Sequence, residues 1–364
     1  MIRRQLINLS SRSIDYRVGF GALDELSRML SSAVGRPKRA LLVSVPSALA
    51  SHGETVRRSL SDAGFAFEEL TLAEGERATT LAAASQLFDA LDAANITCDD
   101  LLVALGGRVV CSLVSWASRQ WCGRTECVLV PTTFDAMVCC ATTMDPIETG
   151  TGAPLISLRP EPGVVCCDLD LVRAADPVRL KPGYVELVRS MMVSSRVRWN
   201  QFGEYIPEIL EGGEVALINA LQWSQTARRD VLTATNPSSR MALTFGASCA
   251  RALRLCLGKD IPAWQLIAEG MRFEARMAVD IADFDVEDVF ELDDRLDDLG
   301  IEELAFDIEP ARFSEAFRTE HARRSNRQML ALPAAPGAVR LHVVEDDVFE
   351  RHAQAYLASR AELL

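Results

Sequence analysis

Residues 101–133, LLVALGGRVVCSLVSWASRQWCGRTECVLVPTT, set the strongest limit on what this chain can become. A short apolar run meets the Gly106-Gly107 pair, passes into a helix-compatible stretch from about Val109, and ends in a second apolar run that stops at Pro131. Strand, tight turn, helix and strand in that order form the unit of a parallel α/β sheet. In such a unit the N–H groups at the helix start face outward and receive a phosphate in nucleotide-binding folds. A strand that feeds directly into a helix also favours residues without a Cβ for packing alone. Both readings of the glycine pair stay open at this stage.

The alternation extends in both directions. Residues 14–20, 39–45, 67–72, 101–105, 128–130 and 164–167 read as strands. Residues 22–30, 54–62, 80–93 and 135–140 read as helices, and 146–163 as a loop rich in glycine and proline. This predicts a mostly parallel sheet covered on both faces, with ligands beyond the carboxyl ends of its strands. From Pro182 onward the pattern turns helical, at 184–197, 214–230, 249–257, 264–282 and 310–324, and only 339–344 looks extended. A chain of 364 residues can bury two cores. The expected fold class is an α/β N-terminal Rossmann-like domain over 1–178 followed by an all-helical C-terminal domain over 179–364, with any active cleft between them.

Several function classes are disfavoured. The opening MIRRQLINLSSRSIDYRV turns polar before an apolar leader can form, and no apolar run is long enough to span a bilayer, so a cytoplasmic protein without a membrane partner is expected. The formal charge of −13 is concentrated in residues 280–310, which hold fourteen acidic side chains against the single Arg295. With no basic stripe, nucleic acid is not expected as a partner, and the acidic run reads as the wet face of short helices. The ten cysteines lack zinc-ribbon spacing and are expected mostly as buried thiols. There is no nucleophile elbow, Gly150–Gly152 is followed by Ala153 where a P-loop needs lysine, and the acidic segment from Asp283 has Asp288 where a calcium loop needs glycine.

Short motifs then accumulate in one order: Gly75-Glu76, Ala104-Leu105-Gly106-Gly107, Val130-Pro131-Thr132-Thr133, Asp168 to Asp170, Gly183 to Glu186, Leu243 to Gly246, and Gly270-Met271. In order and spacing the chain resembles the 3-dehydroquinate synthase family and its sugar-phosphate cyclase relatives nearly end to end. The resemblance implies an NAD-binding N-terminal domain, a helical C-terminal domain, a homodimer, and an enzyme using NAD and a divalent metal, usually zinc. Such an enzyme transiently oxidises a heptulosonate 7-phosphate, eliminates phosphate, restores the hydride and closes a carbocycle.

That chemistry needs about three protein ligands around an open metal position. The family's glutamate matches Glu186, but its two histidines fall on Ala247 and Ala263, and a methyl group coordinates nothing. None of His52, His321, His342 and His352 stands at either position. A substitute set of Glu186 with Cys249 or Glu274 is the one alternative the residues offer. The phosphate side is eroded too, with Asp145 and Ala153 at two lysine positions, Glu320-His321-Ala322 at an aspartate-lysine-lysine motif, and Arg189 in place of the lysine after the metal glutamate. In the cofactor loop, Arg108 and Cys111 replace glycines, Ser112 replaces an aspartate and Thr79 a lysine.

Glu76, Gly106, Gly107, Arg108, Ser112, Thr132 and Thr133 are therefore the candidate cofactor contacts, with NAD the candidate cofactor and zinc not expected. Glu186 and Arg189 are the candidate catalytic pair. Structural roles compete at each position: Glu186 in an interior ion pair with Arg189 or Arg240, Thr132 and Thr133 as helix caps, Gly246 in a turn or close helix contact. The sequence thus predicts a catalytically degenerate member of the family with a binding or regulatory role, a homodimer taking a small anionic or nucleotide ligand. The alternative is a rebuilt enzyme, either a residual synthase or a metal-free lyase or oxidoreductase using Arg108, Glu186 and Arg189.

Overall fold

A computed structural model describes residues 1–9, 12–36, 38–75, 80–143, 145–149, 154–157 and 161–364. By packing, residues 1–183 and 217–225 form one unit, and residues 184–216 and 226–364 a second.

The first unit is built on a seven-stranded sheet. Its strands are β1 (Arg3–Asn8), β2 (Ser13–Gly19), β3 (Arg39–Ser44), β4 (Ala66–Thr71), β5 (Leu101–Gly106), β6 (Glu126–Pro131) and, after the small antiparallel pair β7 (Ile147–Glu148) and β8 (Pro154–Ile156), β9 (Val164–Asp168). The order across the sheet is β1-β2-β9-β6-β5-β3-β4, and every pairing is parallel except β1 with β2. Every residue of β5 and β9 is buried, as expected for parallel strands covered on both faces. The expected strands are all present. β1 is an addition: its sequence RRQLIN has one buried apolar side chain, Ile7, and at a sheet edge a strand needs little more.

From β4 to β9 the strands follow a doubly wound order whose direction reverses between β3 and β5, and at such a reversal the two crossover connections leave a crevice at the carboxyl edge. Register sets that edge level, since Ser44 pairs with Leu105 and Gly106 with Pro131. The Ser44 hydroxyl donates to the Leu105 carbonyl at 2.7 Å and ties the two strand ends together.

Helices α1 (Leu26–Val34), α2 (Pro46–Ala48), α3 (Glu54–Asp62), α4 (Leu81–Ala93), α5 (Arg108–Gln120), α6 (Phe134–Cys139) and α7 (Asp170–Arg173) complete this unit, with the start of α8 (Pro177–Met192) and residues 217–225. The helix expected over 22–30 is split, because a 3-10 turn at Ala22–Glu25 precedes α1. Asp168 and Asp170 hold that turn, accepting hydrogen bonds from the Gly21 and Leu23 amides at 2.9–3.2 Å. The Asp168 to Asp170 motif therefore has a structural duty.

The second unit holds the rest of α8, then α9 (Arg196–Leu210), α10 (Glu214–Thr233) outside residues 217–225, α11 (Ala247–Leu257), α12 (Ala263–Ala282), α13 (Val286–Asp298), α14 (Pro310–Ala322) and α15 (Asp346–Ala361). The single helix expected over 184–197 is corrected: α8 starts at Pro177, carries Pro182 inside it and ends at Met192. Ser195 then caps α9, accepting from the Arg198 amide at 3.3 Å. The C-terminal region is helical apart from one hairpin, in which β11 (Val339–Val343), the expected extended segment, pairs with β10 (Met329–Pro333). Its core includes Phe273 packed edge-on against Phe313 and Phe349, each with ring centroids 5.6 Å apart. All ten cysteines are free thiols, seven of them buried. Among the described residues no helix is long and apolar enough to cross a membrane.

Candidate functional site: a strand-edge pocket and the Glu186 cluster

At the carboxyl edge of the first unit, β5 runs through Gly106 and Gly107 into α5. A Cβ at Gly106 would lie 3.1 Å from the Val110 side chain, a tight contact that favours glycine at this turn. A Cβ at Gly107 would only touch the Thr133 hydroxyl at 3.4 Å, and its backbone is in an ordinary extended conformation. Packing thus explains Gly106 and leaves Gly107 as open backbone at the mouth of the crevice.

The side chains that follow are engaged elsewhere. Arg108 Nη2 donates to Asp145 Oδ1 at 2.5 Å, and the Asp145 amide donates to the buried Ser112 hydroxyl at 2.9 Å. Arg108 therefore neutralises the Asp145 carboxylate. The Cys111 thiol, also buried, lies 3.6 Å from the Gly106 carbonyl.

Beside this turn is a cavity of about 400 Å³ within the first unit. Thr132, Thr133 and Phe134 line it from the end of β6, Leu171 and Arg179 from beyond β9, and His52 from the π-turn Leu49–Gly53 that follows β3. It thus lies along the strand edge where doubly wound sheets receive their ligands. Thr133 takes the N-cap position of α6, yet its side chain makes no capping hydrogen bond, so the expected cap role fails and its hydroxyl is exposed. Partial burial holds the His52 imidazole below its usual pKa, with the Asp168 charge pulling the other way. His52 was not among the sequence candidates, because the turn carrying it is far from the glycine motif in sequence. Glu76, together with Thr79 and Ala153, lies outside the described residues.

In the second unit, Glu186 sits on α8 with 2% of its surface exposed. Its Oε1 accepts from Arg189 Nη2, one helical turn on, and its Oε2 accepts from Arg228 Nη2 at 2.5 Å. Arg228 Nε donates to the Ser190 hydroxyl at 2.9 Å, and that hydroxyl donates to the Glu186 carbonyl at 2.6 Å. Arg189 is 6% exposed and Arg228 is fully buried. Of the two ion-pair partners expected from sequence, Arg189 is found. Arg240 lies in the 3-10 turn Ser239–Thr244, and the second partner is Arg228. A signal for Arg228 did exist: it lies at helical spacing from Leu221, Ser224 and Gln225, all fully buried on α10, where a lone cation demands a counter-charge.

Ala247 and Ala263 are the first residues of α11 and α12. The alternative donors Cys249 and Glu274 are committed to each other's surroundings. Glu274 accepts from the Gly246 amide at 2.6 Å and the Cys249 amide at 3.2 Å, capping α11 from α12. Burial raises the Glu274 carboxyl to about 7 despite these bonds, and burial also pushes the Cys249 thiol well up. Among the described residues no group of three or more His, Cys, Asp or Glu side chains is arranged to hold a metal ion. The described residues offer no donor set that fits a resident divalent metal.

Residues 69–181 match the profile of the family described as 3-dehydroquinate synthase N-terminal. The chain is 27% identical over 288 residues to the 3-dehydroquinate synthase of Caulobacter vibrioides, covering 77% of this chain and 78% of that one. It is 24% identical over 359 residues to that of Nostoc punctiforme, covering 94% and 95%. Among solved structures, a 2-deoxy-scyllo-inosose synthase complexed with carbaglucose-6-phosphate, NAD+ and Co2+ superposes with a TM-score of 0.82 at 16% identity, covering 97% of this chain and 100% of that one. Sequence and structure together point to the 3-dehydroquinate synthase/sugar-phosphate cyclase superfamily. A 2-epi-5-epi-valiolone synthase from Streptomyces hygroscopicus subsp. jinggangensis, with NAD+ and Zn2+ bound, shares the fold at a TM-score of 0.81 and 18% identity, covering 99% of this chain and 100% of that one.

Proposed function

We propose that this protein is a catalytically degenerate relative of the sugar-phosphate cyclases, a nucleotide-binding fold whose cyclase chemistry is lost and whose role is binding or regulation. The observation that carries this reading is that methyl groups at Ala247 and Ala263 open the two helices where imidazoles would have to stand, while both oxygens of Glu186 are already bonded. Without a metal to polarise the carbinol oxygen, hydride transfer from the sugar lacks its electrophile.

NAD is the expected ligand of the first unit. The Gly107 backbone and the start of α5 suit a pyrophosphate, and the Thr132, Thr133 and His52 cavity suits the apolar and hydroxyl surfaces of a nucleoside. When bound, NAD would supply a hydride acceptor; these residues would position it and exclude water.

Turnover of a heptulosonate 7-phosphate with NAD, with and without added zinc or cobalt, tests this reading. The expected outcome is no phosphate release above background in either condition. Metal-dependent release at ordinary enzyme rates would overturn it. Calorimetric titration with NAD checks the cofactor separately.

One observation supports a second reading, in which the pocket was rebuilt for a different, metal-free reaction. The Glu186 cluster sets two guanidiniums against one carboxylate, and the buried Nε of Arg189 has no hydrogen-bond partner. That buried nitrogen remains able to donate to a small anionic ligand.

A further inference from the structure

Solved structures of the same fold contain Co2+ or Zn2+, and Glu186, the glutamate that the resemblance assigns to such an ion, is not merely short of fellow donors. It already holds a cation. We infer that the guanidinium of Arg228 occupies the place at Glu186 that a divalent ion would need, so that a tethered organic cation has replaced a dissociable metal in this fold. The inference rests on the degenerate reading above and adds to it the group that balances the orphaned carboxylate.

Three features carry it. First, both carboxylate oxygens are engaged: Arg189 holds Oε1 and Arg228 holds Oε2, the latter at 2.5 Å. A zinc ion would have to stand about 2.0–2.2 Å from one of these oxygens. An ion that close to Oε2 would stand within a few ångströms of the guanidinium already there, and the two buried cations would repel each other. Second, Arg228 is fixed independently of Glu186. Its Nε donates to Ser190 at 2.9 Å, and no part of it reaches solvent, so the side chain has no exposed position to which it could swing away. Third, the charges forbid addition of a metal. Both guanidiniums that pair with Glu186 would repel a further divalent cation beside it.

The chemistry of replacement is reasonable. A metal binds a carboxylate through directed lone-pair donation and needs neighbouring ligands; a guanidinium needs only oxygen acceptors and carries its charge at any accessible pH. Once the imidazole positions became Ala247 and Ala263, a buried glutamate without a counter-ion would have been strongly unfavourable. Arg228 removes that penalty from within the chain.

The test uses the full chain. Metal content is measured by plasma mass spectrometry after dialysis against zinc and then metal-free buffer, and Tm is measured alone, with EDTA and with added Zn2+. The expected results are substoichiometric metal and a Tm that neither EDTA nor Zn2+ moves. Arg228→Met is then expected to lower Tm by on the order of 10 °C, and Arg228→Lys, which keeps the charge, by clearly less. Near-stoichiometric zinc, a Tm that drops on chelation, or an Arg228→Met Tm equal to the wild type or to Arg228→Lys would overturn the inference. If Arg228→Met does not fold, the metal and chelator measurements on the wild-type chain together with the Arg228→Lys melt decide it. Metal-independent phosphate release would overturn the proposed loss of cyclase activity while leaving this inference standing, so the two can fail separately.

Discussion

Glu186 shows how much structure can rest on one buried carboxylate. It is 2% exposed and neutralised by two arginines, so removing its charge strands both guanidiniums in a dry interior. Glu186→Gln is therefore expected to destabilise the fold by about 3–5 kcal/mol, read from the urea midpoint.

Glu274 behaves differently, because its acceptors are filled by backbone amides and burial dominates its titration. Its carboxyl is raised from 4.5 to about 7 in the folded protein. The folded state therefore holds this proton more tightly than the unfolded chain. The contribution is favourable below pH 4.5, shrinks as pH rises, and is lost once pH passes about 7. The shift corresponds to roughly 3 kcal/mol across that window. Urea melts of the wild type and Glu274→Gln at pH 5 and pH 8 should differ in slope, with the wild type losing more stability on going to pH 8. Parallel pH dependences in the two proteins would count against this assignment.

At the scale of elements, two of the short motifs find their reason in a single contact. Gly246, with a φ of +79°, ends the Leu243 to Gly246 motif, and Gly270 opens the Gly270-Met271 motif. A Cβ on Gly270 would lie 2.0 Å from the Gly246 carbonyl oxygen, so α11 can lie against α12 only because neither position carries a side chain. Gly270→Ala should cost about 3 kcal/mol, measured as a fall in Tm, and an unperturbed Tm would disprove the close approach. Arg108 and Asp145 make a softer link. Their side chains are 17% and 26% exposed, so Asp145→Ala is expected to change stability by less than about 1 kcal/mol. Because it removes a carboxylate that competes for Arg108 at the start of α5, the same substitution should tighten NAD binding by calorimetry.

The acidic stretch is also legible at this scale. On α13 the acids expected at a wet face are divided. Asp288 is buried against Arg196, and Asp293 pairs with Arg276, while Asp294 and Asp298 stay exposed. Composition located the charge, but only the helix register assigned its members to ion pairs or to water.

For the whole molecule, the expectation is ligand linkage. If NAD binds the strand-edge pocket, it stabilises the folded chain by mass action, by about 2.7 kcal/mol at a hundredfold excess over Kd. A melting temperature that rises with the logarithm of NAD concentration is the expected result; a flat response would remove NAD as the ligand.

The order of strands and helices was readable from local pattern, because burial on both faces demands continuous apolar runs such as β5 and β9, and glycine pairs mark where a strand must turn sharply. The proposal that imidazoles are missing at Ala247 and Ala263 likewise rests on residue identity at motif positions, which needs no coordinates. Other features could arise only from folding. Arg228 lies 42 residues from Glu186, His52 joins Thr132 across a strand edge, and residues 217–225 pack with the first unit though they lie far beyond it in the chain. Periodicity reports which face of an element is buried; it carries no information about which distant charge or hydroxyl will be buried against it, and that is decided by packing alone.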